Sequence, residues 1–200
     1  MSKEKADFIR EIQSTNQPLS PYEISQLIRI SYNWVSLYKG DPELKSAFWR
    51  GYMVRPDVTH AYTPENPAIY WCVIALDQPK GWQHVTWIKE MLQIIDSASH
   101  YTSDKDKLGA MLETRRTTDP NGDGTPLNVV ADKHGFILAL ACAVPREYRE
   151  TLRKGRFLER VGQDAIANIT NIPPEYVDRI LDIEFEIAFE KALKEIEAEG

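Results

Sequence analysis

Two uninterrupted runs of nine apolar residues, Ala68 to Leu76 and Phe136 to Val144, constrain this chain more than any other feature. Each is too apolar to lie on a surface and too short for a membrane span, which needs roughly 20 residues. Both must be wrapped by the rest of the chain, and 200 residues of 42% hydrophobic composition are enough to bury them in one core. A run of this length fits a strand buried on both faces as well as a buried helix, so its secondary structure stays open. Cys72 and Cys142, the only cysteines, lie inside these runs. That placement reads as two buried reduced thiols, not a disulfide framework or a zinc site.

Charge narrows the partners. Twenty-four basic residues stand against 30 acidic ones, a net charge of −6, which argues against a uniformly basic coat for nucleic acid. Residues 1–7 are charged and lead into no apolar signal core, so the expected compartment is cytoplasmic and no membrane contact is expected.

Along the chain, Ala6, Phe8, Ile9 and Ile12 predict a short amphipathic helix over residues 4–13. Ser20, Pro21 and Glu23 form a capping-box signature for a second helix, and Asp41-Pro42 repeats the start signal, with Leu44, Ala47 and Phe48 marking a helical face. The proline-bearing stretch 54–67 reads as an ordered loop. Helices are predicted over Trp82 to Ile95 and Asp106 to Arg116. Val129 to Val144 reads either as one buried helix or as two strands around a hairpin turn at Asp132-Lys133-His134-Gly135. Pro145 opens a long amphipathic helix to about Ile169, and Pro173-Pro174 opens a last one toward Gly200. In that last segment Leu181, Ile183, Phe185, Ile187 and Phe189 alternate with period two. If helical, it is apolar on more than one side and needs cover from other elements or from a second chain.

Three features carry possible chemistry. Residues 19–40 resemble the Cro and repressor type of helix-turn-helix at Leu19, Ser20, Glu23, Ile24, Leu27, Ile30, Ser31, Val35, Ser36, Tyr38 and Gly40. The resemblance implies that Ser31 caps a second helix lying in the major groove. Ser31, Tyr32, Asn33 and Trp34 would then meet base edges, with Lys39 the one basic residue on that helix. Arg29 stands where the family usually has glycine. The competing reading is one continuous helix over 21–39, with Ile24, Leu27, Ile28, Ser31, Trp34, Val35 and Tyr38 as its buried face.

The second feature is a stripe of arginines. Arg146, Arg149, Arg153, Arg156 and Arg160 follow spacings of 3, 4, 3 and 4 and fall within about 80° of one helix face. Arginine favours planar, bidentate partners such as phosphates or carboxylates. An internal partner exists, because residues 175–200 hold nine acidic and three basic side chains, a net of −6 that equals the charge of the whole chain. The stripe can therefore face a nucleic acid, as in an electrostatic footprint, or the acidic terminal segment.

The third is Asp119-Pro120-Asn121-Gly122-Asp123-Gly124, the first half of a calcium-loop pattern. Asp119, Asn121 and Asp123 sit at ligand positions, but Val130 occupies the place of the closing glutamate, so an Asx and glycine turn is expected and no metal. The histidines His60, His84, His100 and His134 lack paired ligand spacing, and no nucleophile elbow, phosphate loop or dinucleotide fingerprint occurs.

These observations predict a mainly α fold, with a small β-hairpin (α+β) as the open alternative. The expected division is a helix-turn-helix-like unit over 1–55, a helical core over 56–172 containing loop 118–126, and an acidic terminal helix over 173–200. The expected function is non-enzymatic nucleic-acid binding without a cofactor, phosphates being met by the arginine face. The alternative is an assembly or adaptor protein contacting protein partners, or itself, through its terminal helices; an enzyme with a nonstandard site comes third.

Overall fold

Helix α1 (Ser2–Gln13) forms where the sequence spaces Ala6, Phe8, Ile9 and Ile12 along one face, and all four are buried. It stops where the Ser14 and Thr15 hydroxyls donate to the carbonyls of Glu11 and Ile12, at 2.7 and 2.9 Å. The structure is a computed structural model and describes residues 2–32, 34–47, 50–54, 67–95, 127–157 and 161–198. The predicted helix 106–116, loop 118–126 and most of loop 54–67 lie outside the described residues.

Helix α2 (Pro21–Tyr32) begins with the capping box. The Glu23 amide donates to Ser20 Oγ at 3.2 Å, and the Ser20 amide donates to Glu23 Oε2 at 2.7 Å. The bend expected near Arg29 to Ser31 is absent. α2 runs unbroken through Tyr32, and Trp34–Asp41, expected as a second helix or as the continuation of the first, is strand β1. Val35, Leu37 and Tyr38 are β-branched, aliphatic and aromatic residues that suit a pleated surface. They pair with the first apolar run, which forms strand β3 (Ala68–Ala75), in parallel register Val35↔Ile69 and Leu37↔Trp71. Strand β2 (Gly51–Val54) lies antiparallel on the other side of β3, giving the order β1-β3-β2.

The helix expected after Asp41-Pro42 does not start. Asp41 Oδ1 accepts the amides of Glu43 and Leu44 at 2.8 and 3.3 Å, as a cap would. Asp41 is also the last residue of β1, paired with Ala75, and the Ser46 amide donates to the Asp77 carboxylate at 3.0 Å. Residues 42–47 are held against the strand end and only turn.

Helix α3 (Lys80–Ile94) packs on the sheet, and its first turn approaches the backbone of Ile172 and Pro173 so closely at Gly81 that a Cβ would lie 2.7 Å from the Ile172 carbonyl carbon. Helix α4 (Leu127–Ala143) is continuous, so the hairpin alternative at 132–135 does not occur. The long helix expected from Pro145 to Ile169 is two helices, α5 (Arg146–Phe157) and α6 (Gln163–Thr170), because Gly162 takes extended backbone just before α6. The last predicted helix is also divided. A 3-10 turn (Pro174–Tyr176) leads to α7 (Val177–Leu181), extended Asp182 breaks the chain, and α8 (Ile183–Ala198) follows.

The described residues are thus mainly α, eight helices with a three-stranded sheet. α2 and α3 cover one face of the sheet, α3 packs on α4, and α8 packs on α4 and α1. No helix among them is long and apolar enough to cross a membrane.

Candidate interaction surface

The arginine stripe reaches the acidic terminal helix. Arg149 is fully buried, and its Nε and Nη2 each donate to one oxygen of Glu186 at 2.9 Å. Its Nη1 donates to the Val144 carbonyl and to Gln13 Oε1, so every face of the fork is used. Arg153 donates to Glu186 Oε1 at 2.7 Å and to the carbonyls of Leu181 and Asp182, which closes the C-terminal end of α7. Arg146 donates to Glu186 and Glu190. Gln13 ties the cluster to α1, accepting the Arg146 amide and donating to the Ala141 carbonyl. Burial alone would raise the Glu186 carboxyl, but the hydrogen bonds and charges of Arg149 and Arg153 outweigh it and hold the group down to about 2. Burial likewise pulls Arg149 below the usual guanidinium value, and Glu186 opposes that pull.

These three arginines therefore tie α5 to α8. The side chain of Arg156, and Arg160 as a whole, lie outside the described residues, as do Asn33 and the half calcium loop of Asp119, Asn121 and Asp123. Among the described residues no group of acidic, histidine or cysteine side chains is placed to hold a metal.

Two of the other residues expected to read bases, Tyr32 and Trp34, are packed against each other. Tyr32 stacks on Trp34 at 5.1 Å between ring centroids, meets Phe8 edge-on, and donates its hydroxyl to the Glu4 carbonyl. Trp34 leans on Tyr70 at 5.8 Å. Ser31 is exposed at the end of α2, and Lys39 is exposed on β1. Both cysteines are buried free thiols pushed up to about 12 by burial, which leaves them inert as nucleophiles.

The sheet itself offers the feature that sequence reasoning missed. Its inner face is fixed by contacts: Tyr38 packs on Trp87 of α3, Ser36 meets Cys72 at 3.4 Å, and Gly51 sits so close to Thr86 that a Cβ would lie 2.7 Å from its methyl. Alternation then turns Val35, Leu37 and Lys39 of β1, Ile69, Trp71 and Val73 of β3, and Tyr52 and Val54 of β2 to the outer face. Val73 is buried, but Tyr52, Val54, Ile69 and Trp71 are 37%, 43%, 41% and 42% exposed. An open sheet face usually alternates to polar residues, whereas a strand apolar on both sides is the kind that is covered on both sides. The signal was present in Ala68 to Leu76 as a run with no polar alternation. α2 packs on β1 and α3 on β2 and β3, with α3 meeting the inner-face residues Tyr38 and Gly51. No family model, curated protein or solved structure matches the chain.

Proposed function

We infer that this chain acts by binding another protein chain, through the apolar outer face of its sheet. The carrying observation is that face: Tyr52, Val54, Ile69 and Trp71 form an exposed apolar surface, with Lys39 at its margin and Asp41 at the end of β1. Aromatic and aliphatic side chains with little charge are the composition of a protein contact core. A nucleic acid would instead draw on the arginine stripe, and Arg146, Arg149 and Arg153 are already engaged by Glu186, Glu190 and backbone carbonyls. The reading is an assembly or adaptor role without chemistry of its own.

A photo-crosslinking residue in place of Ile69, introduced in the cell that makes the protein, tests it. The expected result is a discrete protein adduct that resists nuclease and disappears when Trp71→Glu is added. A nuclease-sensitive adduct, or the same yield with and without Trp71→Glu, would overturn the reading.

A further inference from the structure

Helix α8 carries a second apolar surface. Its inner side buries Phe185, Phe189, Ala192 and Leu193, yet Ile183 and Ile187, one turn apart, are 68% and 65% exposed. Both isoleucines lie outside the face that anchors the helix. They form a short strip, flanked by exposed Glu184.

We propose that this strip docks on the outer sheet face of a second copy of the chain, so that copies associate head to tail. The inference rests on the reading of the sheet face as a protein-contact surface and names its occupant. Dimensions support it. The strands β1 and β2 flank β3 at about 4.8 Å each, making the face about 10 Å wide, the width of one helix. Its exposed length, set by Ile69 to Trp71 and their neighbours, is about 7 Å, and Ile183 and Ile187 rise about 6 Å along the helix axis. Charge agrees as well: Lys39 at the margin of the face meets Glu184 beside the strip.

The two surfaces cannot meet within one molecule. α8 lies against α1, α4 and α7, whereas the sheet lies against α2 and α3. In the head-to-tail arrangement each protomer makes the contact twice, once with each surface, and grows into a ring or an open chain.

Sedimentation velocity on the full chain, over about 5–500 µM, tests this with two variants, each first shown to keep the wild-type helical signal and melting transition. Wild-type protein is expected to shift from monomer to a series of larger species as concentration rises. Trp71→Glu alone and the pair Ile183→Glu with Ile187→Glu are each expected to remain monomeric. Mixed in equal amounts, they keep one intact strip and one intact sheet between them and should form a heterodimer and nothing larger. A monomeric wild type overturns the proposal, as does association that Trp71→Glu abolishes and the α8 changes leave intact, or a mixture of folded variants that stays monomeric. If wild type is monomeric while the Ile69 crosslink still captures a different protein through Trp71, the sheet-face reading stands and the second-copy proposal falls.

Discussion

Arg149 heads the fully buried side chains by volume, and its burial is tolerable only because Glu186, Gln13 and Val144 satisfy its guanidinium. The Phe185 and Phe189 rings, 5.1 and 5.9 Å from the guanidinium carbon, add cation–π contact from the same helix. Removing one partner of such a pair leaves the other charge buried, at a cost of about 3–5 kcal/mol, while replacing both by apolar groups is often close to neutral. Arg149→Met alone should therefore lower stability by that amount in urea unfolding, and Arg149→Met with Glu186→Leu should recover most of it. Equal losses for single and double variants would mean that the ion pair is not what anchors α8. His84 gives a second test at this scale. Burial is the larger effect and lowers its pKa to about 4, although its Nε2 contact with the Leu19 carbonyl and the nearby Glu23 pull the other way. The unfolded chain, with His near 6.5, binds more protons than the folded one between pH 6.5 and 4, so stability is whole above 6.5 and falls as pH drops through that window. The loss is about 3 kcal/mol at most, and His84→Gln should flatten that part of the stability curve without moving the further decline between about pH 4.5 and 2 that belongs to Glu186. An unchanged slope between pH 6.5 and 4 in His84→Gln would show that another group titrates there.

At the level of elements, local signals were legible where neighbouring residues decide the outcome. The Ser20–Glu23 capping box and the α1 face needed only contacts three or four residues apart, and both formed as the sequence indicated. What misled was the ambiguity of apolar residues whose partners are distant. Val35 and Tyr38 fit a helical core in isolation; the pairing with Ile69 and Cys72, more than 30 residues on, makes them strand. Ile183 to Phe189 shows the reverse, a period-two pattern that folds as helix because its inner residues meet α1 and α4. The arginine stripe was visible as a periodicity and its acidic partner as a charge imbalance, but the choice between carboxylate and phosphate lay in the path of α8. Arg29 sits inside the last turns of an unbroken α2, where glycine costs about 0.5–1 kcal/mol. Arg29→Gly should lower the melting temperature accordingly. A rise would point to strain relieved at a bend and restore the helix-turn-helix arrangement.

For the whole molecule, layering decides what remains available for function. The terminal helices close on each other: α1 meets α8, joined at the surface by Arg10 and Glu197 and beneath it by the Gln13 and Arg149 network. That side spends its charges internally. The sheet presents an apolar outer face, to which binding is assigned, while the arginines do structural work. Those two assignments separate in a single quantity, the yield of protein adduct from a photo-crosslinking residue at position 69, compared between Arg153→Gln and Trp71→Glu. The yield is expected to stay close to wild type in Arg153→Gln and to fall near background in Trp71→Glu. A normal yield in folded Trp71→Glu together with a lost yield in folded Arg153→Gln would contradict it, placing the contact on the arginine helix instead of the sheet.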